Sequence, residues 1–287
     1  MYQAGLILEG GGMKGVYTAG VIDFFLDKGI EFSSVYGVSA GACSMCSYLS
    51  KQRRRAFDVC VDYLGDKNYC SIWSLLTTGD LFNAEMNYHL VPEYLNPYDY
   101  EAFRQYKGKA YSVATDIVSG KPVYFRIRDV KKDIIKIRAS ASLPLVSRNV
   151  KIDGGLYLDG GLSDSIPIRK SVMDGNSKNV IVMTKETGFV RKQAGRLMCL
   201  LTRLWYWRYP KVAELTAKRY LSYNEELAYI ERLRKSGKVF VIRPRKPSGV
   251  SRVEKDAEKL KKLYRQGYRD AKVSYRELKA FLEKQEK

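Results

Sequence analysis

Hydrophobic residues near the start of the chain form two similar units, each with an apolar segment, a glycine-containing turn and a second apolar segment. Residues 2–8 are mainly apolar and residues 31–38 mix β-branched and aromatic side chains, which predicts two strands. Residues 16–25 and 40–49 follow the glycines and are mostly small or apolar, which predicts two helices. The chain therefore begins with two strand–turn–helix units.

Strand and helix patterns continue to alternate along the rest of the chain. Short apolar stretches predict a hairpin and three further strands, at residues 109–117 with 122–127, 155–158, 179–184 and 239–242. Longer mixed stretches predict helices, at residues 131–142, 209–235 and 253–284. Residues 244–252 contain prolines and a glycine and predict a linker. This order of elements predicts an α/β fold.

The turn after the second predicted strand is Gly37-Val38-Ser39-Ala40-Gly41, a Gly-x-Ser-x-Gly nucleophile elbow. In such an elbow the serine lies on a tight turn, and Gly37 and Gly41 leave room for close approach of the backbone. A nucleophilic serine usually borrows a histidine as its base, but His89 is the only histidine in the sequence. In the usual order the serine is followed by the aspartate and then by the histidine, and His89 is not well placed for that order. Either Ser39 is not a nucleophile or another group accepts its proton.

A glycine-rich loop, Gly10-Gly11-Gly12-Met13-Lys14-Gly15, follows the first predicted strand. Its backbone N–H groups can form a nest that holds an anion. A dinucleotide pyrophosphate is one candidate because the loop satisfies Gly-x-Gly-x-x-Gly, but the next strand ends at Ser39 without the acid that would hold the ribose. The oxyanion formed when a serine attacks an ester is the favoured candidate, because the two turns end adjacent strands.

Two aspartates that precede glycine pairs are candidates for the missing base. Asp159-Gly160-Gly161 follows an apolar stretch, so its carboxylate is expected to project from a sheet edge. Burial beside apolar neighbours raises the pKa of a carboxyl group and makes it a better base for a serine. Asp153-Gly154-Gly155 has the same pattern, and Asp-Gly is also common in turns, so spacing alone does not choose between them.

Together these segments resemble the patatin-like phospholipases, in particular the bacterial members. That family has an N-terminal glycine-rich loop, a Gly-x-Ser-x-Gly elbow and an Asp-Gly-Ala/Gly motif, which correspond here to residues 10–15, 37–41 and 159–161. It also has an Ala-Ser-x-x-x-Pro-like block ahead of the aspartate, which residues 139–144 resemble. The likeness covers roughly residues 4–185.

The resemblance implies a three-layer α/β/α fold with a mainly parallel central sheet. It implies a dyad of Ser39 as nucleophile and Asp159 as base, and it selects Asp159 over Asp153. It also implies an oxyanion hole at the glycine loop, in which Gly10 shapes the turn while Gly11 and Gly12 donate N–H groups. The other motif positions are Lys14, Gly15, Gly37, Gly41, Gly160 and Gly161.

Two positions depart from the family pattern. Glu9 stands where plant members have aspartate, and Lys14 stands where arginine is common. Both substitutions keep the charge, but a lysine cannot make the bidentate contact of an arginine.

The function implied by the resemblance is hydrolysis of lipid acyl esters through an acyl-enzyme, with no metal and no organic cofactor. Two alternatives stay open. One is an acyltransferase that uses the same dyad, and the other is a catalytically silent module that binds a membrane or a nucleic acid.

Positive charge is concentrated in the last third of the chain. Residues 1–185 have a net charge of +4, and residues 186–287 contribute +15 to the total of +19. No nucleic-acid-binding motif accompanies this charge, which argues against a nucleic-acid partner. Residues 197–209 mix leucine, tryptophan and tyrosine with arginine, which predicts peripheral contact with an anionic membrane or, as the alternative, a helix packed over the sheet.

Three regions follow from these patterns. They are a catalytic core at residues 1–185, an aromatic and basic segment with the late strand at residues 186–243, and a linker with a terminal helix at residues 244–287. The second and third regions form a helical, basic C-terminal extension of the core. Five irregularly spaced cysteines, no apolar run long enough to span a bilayer and no signal-peptide pattern predict a cytoplasmic protein that also contacts membranes.

Overall fold

A computed structural model describes residues 1–284. Within them, eight strands form one sheet: β1 (Tyr2–Leu8), β2 (Phe32–Val38), β3 (Lys109–Asp116), β4 (Pro122–Ile127), β5 (Val150–Ile152), β6 (Gly155–Asp159), β7 (Asn179–Val182) and β8 (Val239–Ile242). The strand order is β5-β6-β3-β2-β1-β7-β8, and β4 pairs with β3. Pairs β3-β2, β2-β1, β1-β7 and β7-β8 are parallel, whereas β4 and β6 run antiparallel to β3.

Eleven α-helices surround the sheet in the described part of the chain: α1 (Val16–Asp27), α2 (Ala40–Leu49), α3 (Arg55–Val61), α4 (Ile72–Thr78), α5 (Tyr100–Gln105), α6 (Val130–Ala141), α7 (Ile168–Met173), α8 (Arg196–Trp205), α9 (Pro210–Lys235), α10 (Ala257–Val273) and α11 (Tyr275–Glu283). Short 3-10 turns cover Gly12–Gly15 and Gly160–Leu162, and a π-helix covers Met86–Leu95. The short helices between residues 55 and 105 were not predicted from the sequence.

Alternate side chains of the central strands enter different cores, as the pleat of a strand requires. Leu6 and Leu8 are buried in a large cluster with α1, α2 and α10, whereas Ile7 is buried with α7 and α9 on the other face. The sheet is thus covered on both faces. The expected three-layer α/β/α architecture with a mainly parallel sheet is confirmed.

The C-terminal helix α10 packs closely on α1. A Cβ atom at Gly20 would lie 2.1 Å from the carbonyl oxygen of Tyr264, so only glycine permits this approach of the two helices. Tyr264 also donates a hydrogen bond to the buried Asp23 (2.5 Å), and Tyr17 donates one to Asp270 (3.0 Å). The last part of the chain is therefore built into the layer that also contains α1.

The single helix predicted at residues 253–284 is wrong in two respects, because helix begins only at Ala257 and the structure has two helices that meet at Ser274. The Ser274 hydroxyl donates to the carbonyl of Asp270 (2.9 Å), a local bond that competes with helix continuation. The apolar positions that motivated the prediction are buried, as Leu260 and Leu278 illustrate.

The segment predicted to be a linker, residues 244–252, has no helix or strand but is attached at both ends. The N–H of Thr187 donates to the carbonyl of Pro244 (2.9 Å), and the N–H of Met13 donates to that of Arg252 (3.0 Å). This second bond joins the segment to the glycine-rich loop. The division of the chain into three regions remains a prediction.

None of the helices in residues 1–284 is long and apolar enough to cross a membrane. The five cysteines are free thiols.

Candidate active site

Ser39 lies on the sharp turn that the elbow pattern predicts. It follows β2 and precedes α2 directly, with φ 56° and ψ −126°, a backbone conformation that side-chain-bearing residues rarely adopt. A Cβ atom at Gly37 would lie 2.5 Å from Cα of Ala42, and one at Gly41 would lie 2.2 Å from the carbonyl oxygen of Leu8. Both glycines of the pattern are therefore needed for the backbone to turn here.

Strand pairing brings Asp159 next to the elbow. On β3, Val113 pairs with Val38 of β2, and the next residue, Ala114, pairs with Asp159 of β6. Since β4 occupies the other side of β3 at both positions, β2 and β6 meet end to end along one side of β3. The two strands run in opposite directions, so their carboxyl ends converge. Asp159, the last residue of β6, and Ser39, the residue directly after β2, both lie at that meeting point.

The carboxyl group of Asp159 is buried and only partly satisfied. The residue is 3% exposed, its Oδ1 accepts the N–H of Gly161 (2.7 Å), and its Oδ2 has no hydrogen-bond partner within the described residues. Burial raises the pKa of Asp159, and this effect exceeds the opposing effects of the nearby Ser39 hydroxyl and the Arg219 guanidinium. Such a carboxylate has one oxygen available to a neighbouring hydroxyl and an increased tendency to take its proton.

A buried block of small residues fixes both sides of this pair. The N–H of Ser39 donates to the hydroxyl of Ser140 (2.9 Å), and the N–H of Asp159 donates to the carbonyl of Ser142 (2.7 Å). Both serines belong to the Ala-Ser block at the end of α6, and both are buried. The sequence showed this block only as a family likeness, whereas the structure shows that it holds Ser39 and Asp159 in place together.

The glycine-rich loop lies directly against the elbow. A Cβ atom at Gly10 would lie 2.7 Å from Cβ of Ser39, and one at Gly11 would lie 2.8 Å from the Thr184 hydroxyl. Among residues 1–284, no hydrogen bond uses the N–H of Gly11 or of Gly12. These two groups are therefore available at the edge of the cavity that Ser39 also lines.

Glu9 anchors the start of this loop. Its carboxylate accepts the backbone N–H of Thr184 (2.7 Å) and the hydroxyl of Tyr223 (2.6 Å), and the residue is 3% exposed. Thr184 also donates to the carbonyl of Gly10 (2.8 Å). The loop is thus held by β7 and α9 on the side away from Ser39.

The remaining motif positions serve packing and turn geometry. A Cβ atom at Gly15 would lie 3.0 Å from Cβ of Ala40, and one at Gly160 would lie 2.1 Å from the carbonyl oxygen of Val113. Gly161 supplies the N–H that binds Asp159. Lys14 lies in the 3-10 turn that forms the second half of the loop, half-buried and without an ion-pair partner among the described residues.

Two cavities of different character meet at Ser39. One is lined mainly by apolar side chains from α2, α3, α6 and the π-helix, among them Cys43, Val59, Cys60, Val91, Ile134 and Ile137. The other is small and polar, and its lining includes Gly11, Asp159 and four basic residues, Lys185, Arg191, Arg219 and Arg252. Ser39, Gly12 and Leu143 line both. The basic residues were not predicted as site residues, because they are spread over residues 185–252, outside the sequence motifs.

The two other base candidates lie away from Ser39. His89 is half-exposed on the π-helix, 3.8 Å from Glu85, and lines neither of the two cavities. Asp153 is exposed at the turn between β5 and β6, with φ 47°, and it makes the hairpin turn that Asp-Gly commonly makes. No group of three or more His, Cys, Asp or Glu side chains in residues 1–284 is arranged to hold a metal ion.

The sheet and the site define an α/β protein with a serine on a nucleophile elbow beside a buried aspartate. A model of the patatin-like phospholipase family matches residues 6–171, more than half of the chain, and the chain therefore belongs to that family. A second model, a domain of unknown function (DUF6363), matches residues 209–283.

Two curated relatives illustrate the likeness. The chain is 29% identical over 183 residues to the uncharacterized protein YjjU of Escherichia coli (strain K12), covering 62% of this chain and 51% of YjjU. It is 25% identical over 203 residues to the probable lipid hydrolase 463L of Invertebrate iridescent virus 6, covering 62% of this chain and 66% of 463L. The chain thus spans about half the length of the first and just under two thirds of the second.

Among solved structures, VipD from Legionella pneumophila matches 95% of this chain and 66% of its own, with a TM-score of 0.50 and 12% identity. At this identity the likeness concerns the fold alone.

Proposed function

We propose that the protein is a serine acyl hydrolase that cleaves fatty-acyl esters of lipids with a Ser39–Asp159 dyad. The observation that carries this proposal is the convergence of β2 and β6, which places a buried carboxylate with an unpartnered oxygen beside the elbow serine. Membership of the patatin-like phospholipase family and the name of the relative 463L, a probable lipid hydrolase, support the same activity.

The first half of the reaction forms an acyl-enzyme. Asp159 accepts the proton of the Ser39 hydroxyl as Oγ attacks the ester carbonyl carbon. The N–H groups of Gly11 and Gly12 stabilise the oxyanion of the tetrahedral intermediate. When this intermediate collapses, the carbon–oxygen bond to the alcohol breaks, and the alcohol leaves with the proton held by Asp159.

The second half releases the fatty acid. Asp159 takes a proton from a water molecule as that water attacks the acyl carbonyl, and the proton then returns to Ser39 as the ester bond breaks. The apolar cavity beside Ser39 suits an acyl chain, because most of its lining is aliphatic or aromatic. An acyltransferase would use the same first half and would replace water with another alcohol.

The decisive experiment combines serine labelling with ester hydrolysis. The purified protein is treated with a fluorophosphonate probe and assayed with short-chain p-nitrophenyl esters, beside Ser39→Ala and the control Ser177→Ala, which removes the hydroxyl of an exposed serine that lines neither cavity. We expect wild type and the control to be labelled and active, and Ser39→Ala to be neither. An unlabelled, inactive wild type, or a labelled Ser39→Ala, would contradict the proposal. Methanol added as acceptor separates transfer from hydrolysis, since a transferase would give methyl esters as the main product.

We further propose that α8 brings the enzyme to an anionic membrane. Its leucines and the tryptophans beside it are exposed, with Leu197, Leu204, Trp205 and Trp207 between 63% and 72%. Exposed arginines lie among them at positions 196, 203 and 208. An apolar face flanked by basic residues is typical of helices that lie in the membrane interface.

This contact has its own test. We expect Leu204→Glu with Trp205→Glu to reduce sedimentation of the protein with phosphatidylglycerol-containing vesicles several-fold, and Val172→Glu with Met173→Glu on α7 to leave it unchanged. Equal sedimentation of both variants would show that α8 is not the membrane contact.

A further inference from the structure

Helix α9 packs on the turn that contains Asp159. Val212, near the start of α9, is buried in one core with Leu158 and Leu162, which flank Asp159 and its pair of glycines. Arg219 follows Val212 by seven residues, about two helical turns, and so lies on the same face of α9. Its side chain lines the small polar cavity that Asp159 also lines, which we call the basic cavity.

The guanidinium of Arg219 approaches Asp159 across Gly161. A Cβ atom at Gly161 would lie 2.6 Å from Nη2 of Arg219 and 2.9 Å from Oδ1 of Asp159. The two charged atoms are therefore separated by no more than the sum of these distances. Opposite charges about 4–6 Å apart already favour each other's ionised form.

Arg219 acts on this carboxylate without occupying it. In residues 1–284 it forms no direct ion pair, and Oδ2 of Asp159 has no hydrogen-bond partner. The oxygen that faces no donor thus stays available for the proton of Ser39, while the positive charge remains close.

Arg219 also holds the backbone of the turn. Its Nη2 donates to the hydroxyl of Ser165 (3.3 Å), and that hydroxyl donates to the carbonyl of Gly161 (2.8 Å). The N–H of the same glycine donates to Oδ1 of Asp159 (2.7 Å). One chain of hydrogen bonds therefore connects α9 with the Asp159 carboxylate.

The electrostatics of the pair agree with this geometry. Burial favours the neutral form of a carboxyl group, and a neutral Asp159 cannot accept a proton from Ser39. Burial raises the pKa of Asp159, while the Ser39 hydroxyl and then the Arg219 guanidinium act to lower it. Burial and the charge of Arg191 lower the pKa of Arg219 to about 10, so this side chain keeps its charge at neutral pH.

The other charged groups of the basic cavity have smaller effects on Asp159. They come from four further segments and are Glu9, Lys185, Arg191 and Arg252. Arg252 lowers the pKa of Asp159 as Arg219 does, but by less. The carboxylate of Glu9 is bound by Thr184 and Tyr223. Among these cations, Arg219 thus has the largest influence on Asp159.

We propose that Arg219 is a positioning residue of the Ser39–Asp159 dyad, which holds the turn after Asp159 and supplies the positive charge that keeps this buried carboxylate ionised. The proposal rests on the proposed hydrolase function, because Asp159 has to be ionised to accept the proton of Ser39. Arg219 lies in residues 209–283, the segment that matches a domain of unknown function, beyond the patatin-like match at residues 6–171. The role of that segment is then to complete the active site.

Three variants separate charge from packing. Arg219→Gln removes the charge but keeps a donor for Ser165, and Arg219→Lys keeps the charge on a different side chain. Arg232→Gln is the matched control, since Arg232 is an exposed arginine of the same helix that lines neither cavity. Thermal melting verifies that all three fold.

The first measurement reads the ionisation of Asp159 without catalysis. Protein labelled with ¹³C at the aspartate carboxyl carbons is titrated by NMR, and Asp159→Asn assigns the signal. We expect the midpoint to rise by about one to three pH units in Arg219→Gln, as for the loss of a neighbouring opposite charge. It should stay close to wild type in Arg219→Lys and Arg232→Gln. An unchanged midpoint in Arg219→Gln, or an equal rise in Arg232→Gln, would overturn the proposal.

The second measurement is the pH profile of kcat/KM on a p-nitrophenyl ester. We expect the acid limb of Arg219→Gln to shift upward with the NMR midpoint and activity to recover at higher pH. A loss of the same size at every pH would indicate a purely structural role and contradict the proposal. If wild type neither cleaves esters nor reacts with fluorophosphonate, the hydrolase function fails, and the NMR titration alone decides whether Arg219 controls the ionisation of Asp159.

Discussion

The apolar and basic cavities that meet at Ser39 differ in chemistry and in their origin along the chain. The apolar cavity is lined by residues between Gly12 and Leu143, all inside the segment that matches the patatin-like family. The four cations of the basic cavity lie beyond residue 171, where that match ends, and Arg219 and Arg252 lie in the second matching segment. The family segment thus supplies the elbow serine and the apolar cavity, and the later residues supply the positive charge on the other side of that serine.

Removing the proposed base, Asp159, should give the largest effect, a large loss of activity on every ester substrate. Asp159→Asn keeps an acceptor for the N–H of Gly161 but cannot take the proton of Ser39. We expect kcat to fall by about 10²–10⁴-fold, the usual contribution of a general base, on charged and neutral esters alike. Steady-state kinetics at neutral pH measure this.

Asp153→Asn provides the matched control, because Asp153 has the same following residues but lies in an exposed hairpin turn. Full activity of Asp159→Asn, or equal losses in both variants, would remove Asp159 from the mechanism. In wild type, the raised pKa of Asp159 means that the carboxylate is lost at a higher pH than for an ordinary aspartate on acidification. The acid limb of kcat/KM should therefore lie above the usual aspartate range.

Filling the apolar cavity should change selectivity for the acyl chain. Val59→Phe adds bulk to the wall of this cavity, so long chains should lose about tenfold in kcat/KM relative to short ones. Assays with a series of p-nitrophenyl esters measure the ratio, and melting curves verify folding. Val118→Phe, on an exposed turn, should leave the ratio as in wild type. An unchanged ratio in Val59→Phe would mean that acyl chains bind elsewhere.

Raising the pH should reduce the positive charge of the basic cavity, and with it the affinity for an anion, without changing the apolar cavity. Lys185 has its pKa lowered to about 8 by burial and by Lys14, Arg252 and Arg191, with Glu9 acting in the opposite direction. It is charged below that pH and neutral above it. We expect the Kd of sulfate, used as a probe anion whose charge does not change in this range, to rise several-fold between pH 7 and pH 9.

Lys185→Met should flatten this dependence, which calorimetry at several pH values can measure. A Kd for the probe anion that does not change with pH in wild type would indicate that Lys185 does not contact the bound anion.

The smallest expected effect concerns the turn that separates the two cavities. Ser39 has a positive φ that glycine adopts freely, so Ser39→Gly should relieve strain that Ser39→Ala retains. We expect Ser39→Gly to be more stable than Ser39→Ala by about 1 kcal/mol, after the extra chain entropy of glycine is subtracted. Urea denaturation measures the difference, and a less stable glycine variant would show that the turn is not strained.

The local features of the site could be predicted from the sequence because each occupies a short segment. The glycine loop, the elbow and its helix appear with nearly the predicted bounds, since strand and helix patterns there are interrupted by glycines. Asp159 and Asp153 could not be separated by pattern alone, because that separation depends on which side of β3 the β6 strand occupies.

Features built from distant residues could not be predicted. Arg191, Arg219 and Arg252 look like members of a uniformly basic region, and Lys185 ends the nearly neutral part of the chain, until the fold brings the four together. The segment at residues 244–252 looked like a linker because proline and glycine suggest a break, but its last carbonyl supports the loop beside Ser39. Hydrogen bonds of this kind leave no pattern in a sequence.

The meeting of β2 and β6 on one side of β3 has a consequence for how such enzymes diversify. Ser39 and Asp159, the proposed nucleophile and base, are positioned by adjacent residue pairs along β3, although 119 residues of chain lie between them. Most of the apolar lining comes from that intervening stretch. For the proposed hydrolase, acyl-chain preference would therefore be modular: segments between residues 50 and 100 could be exchanged between relatives while the strand pairing that holds Ser39 and Asp159 stays unchanged.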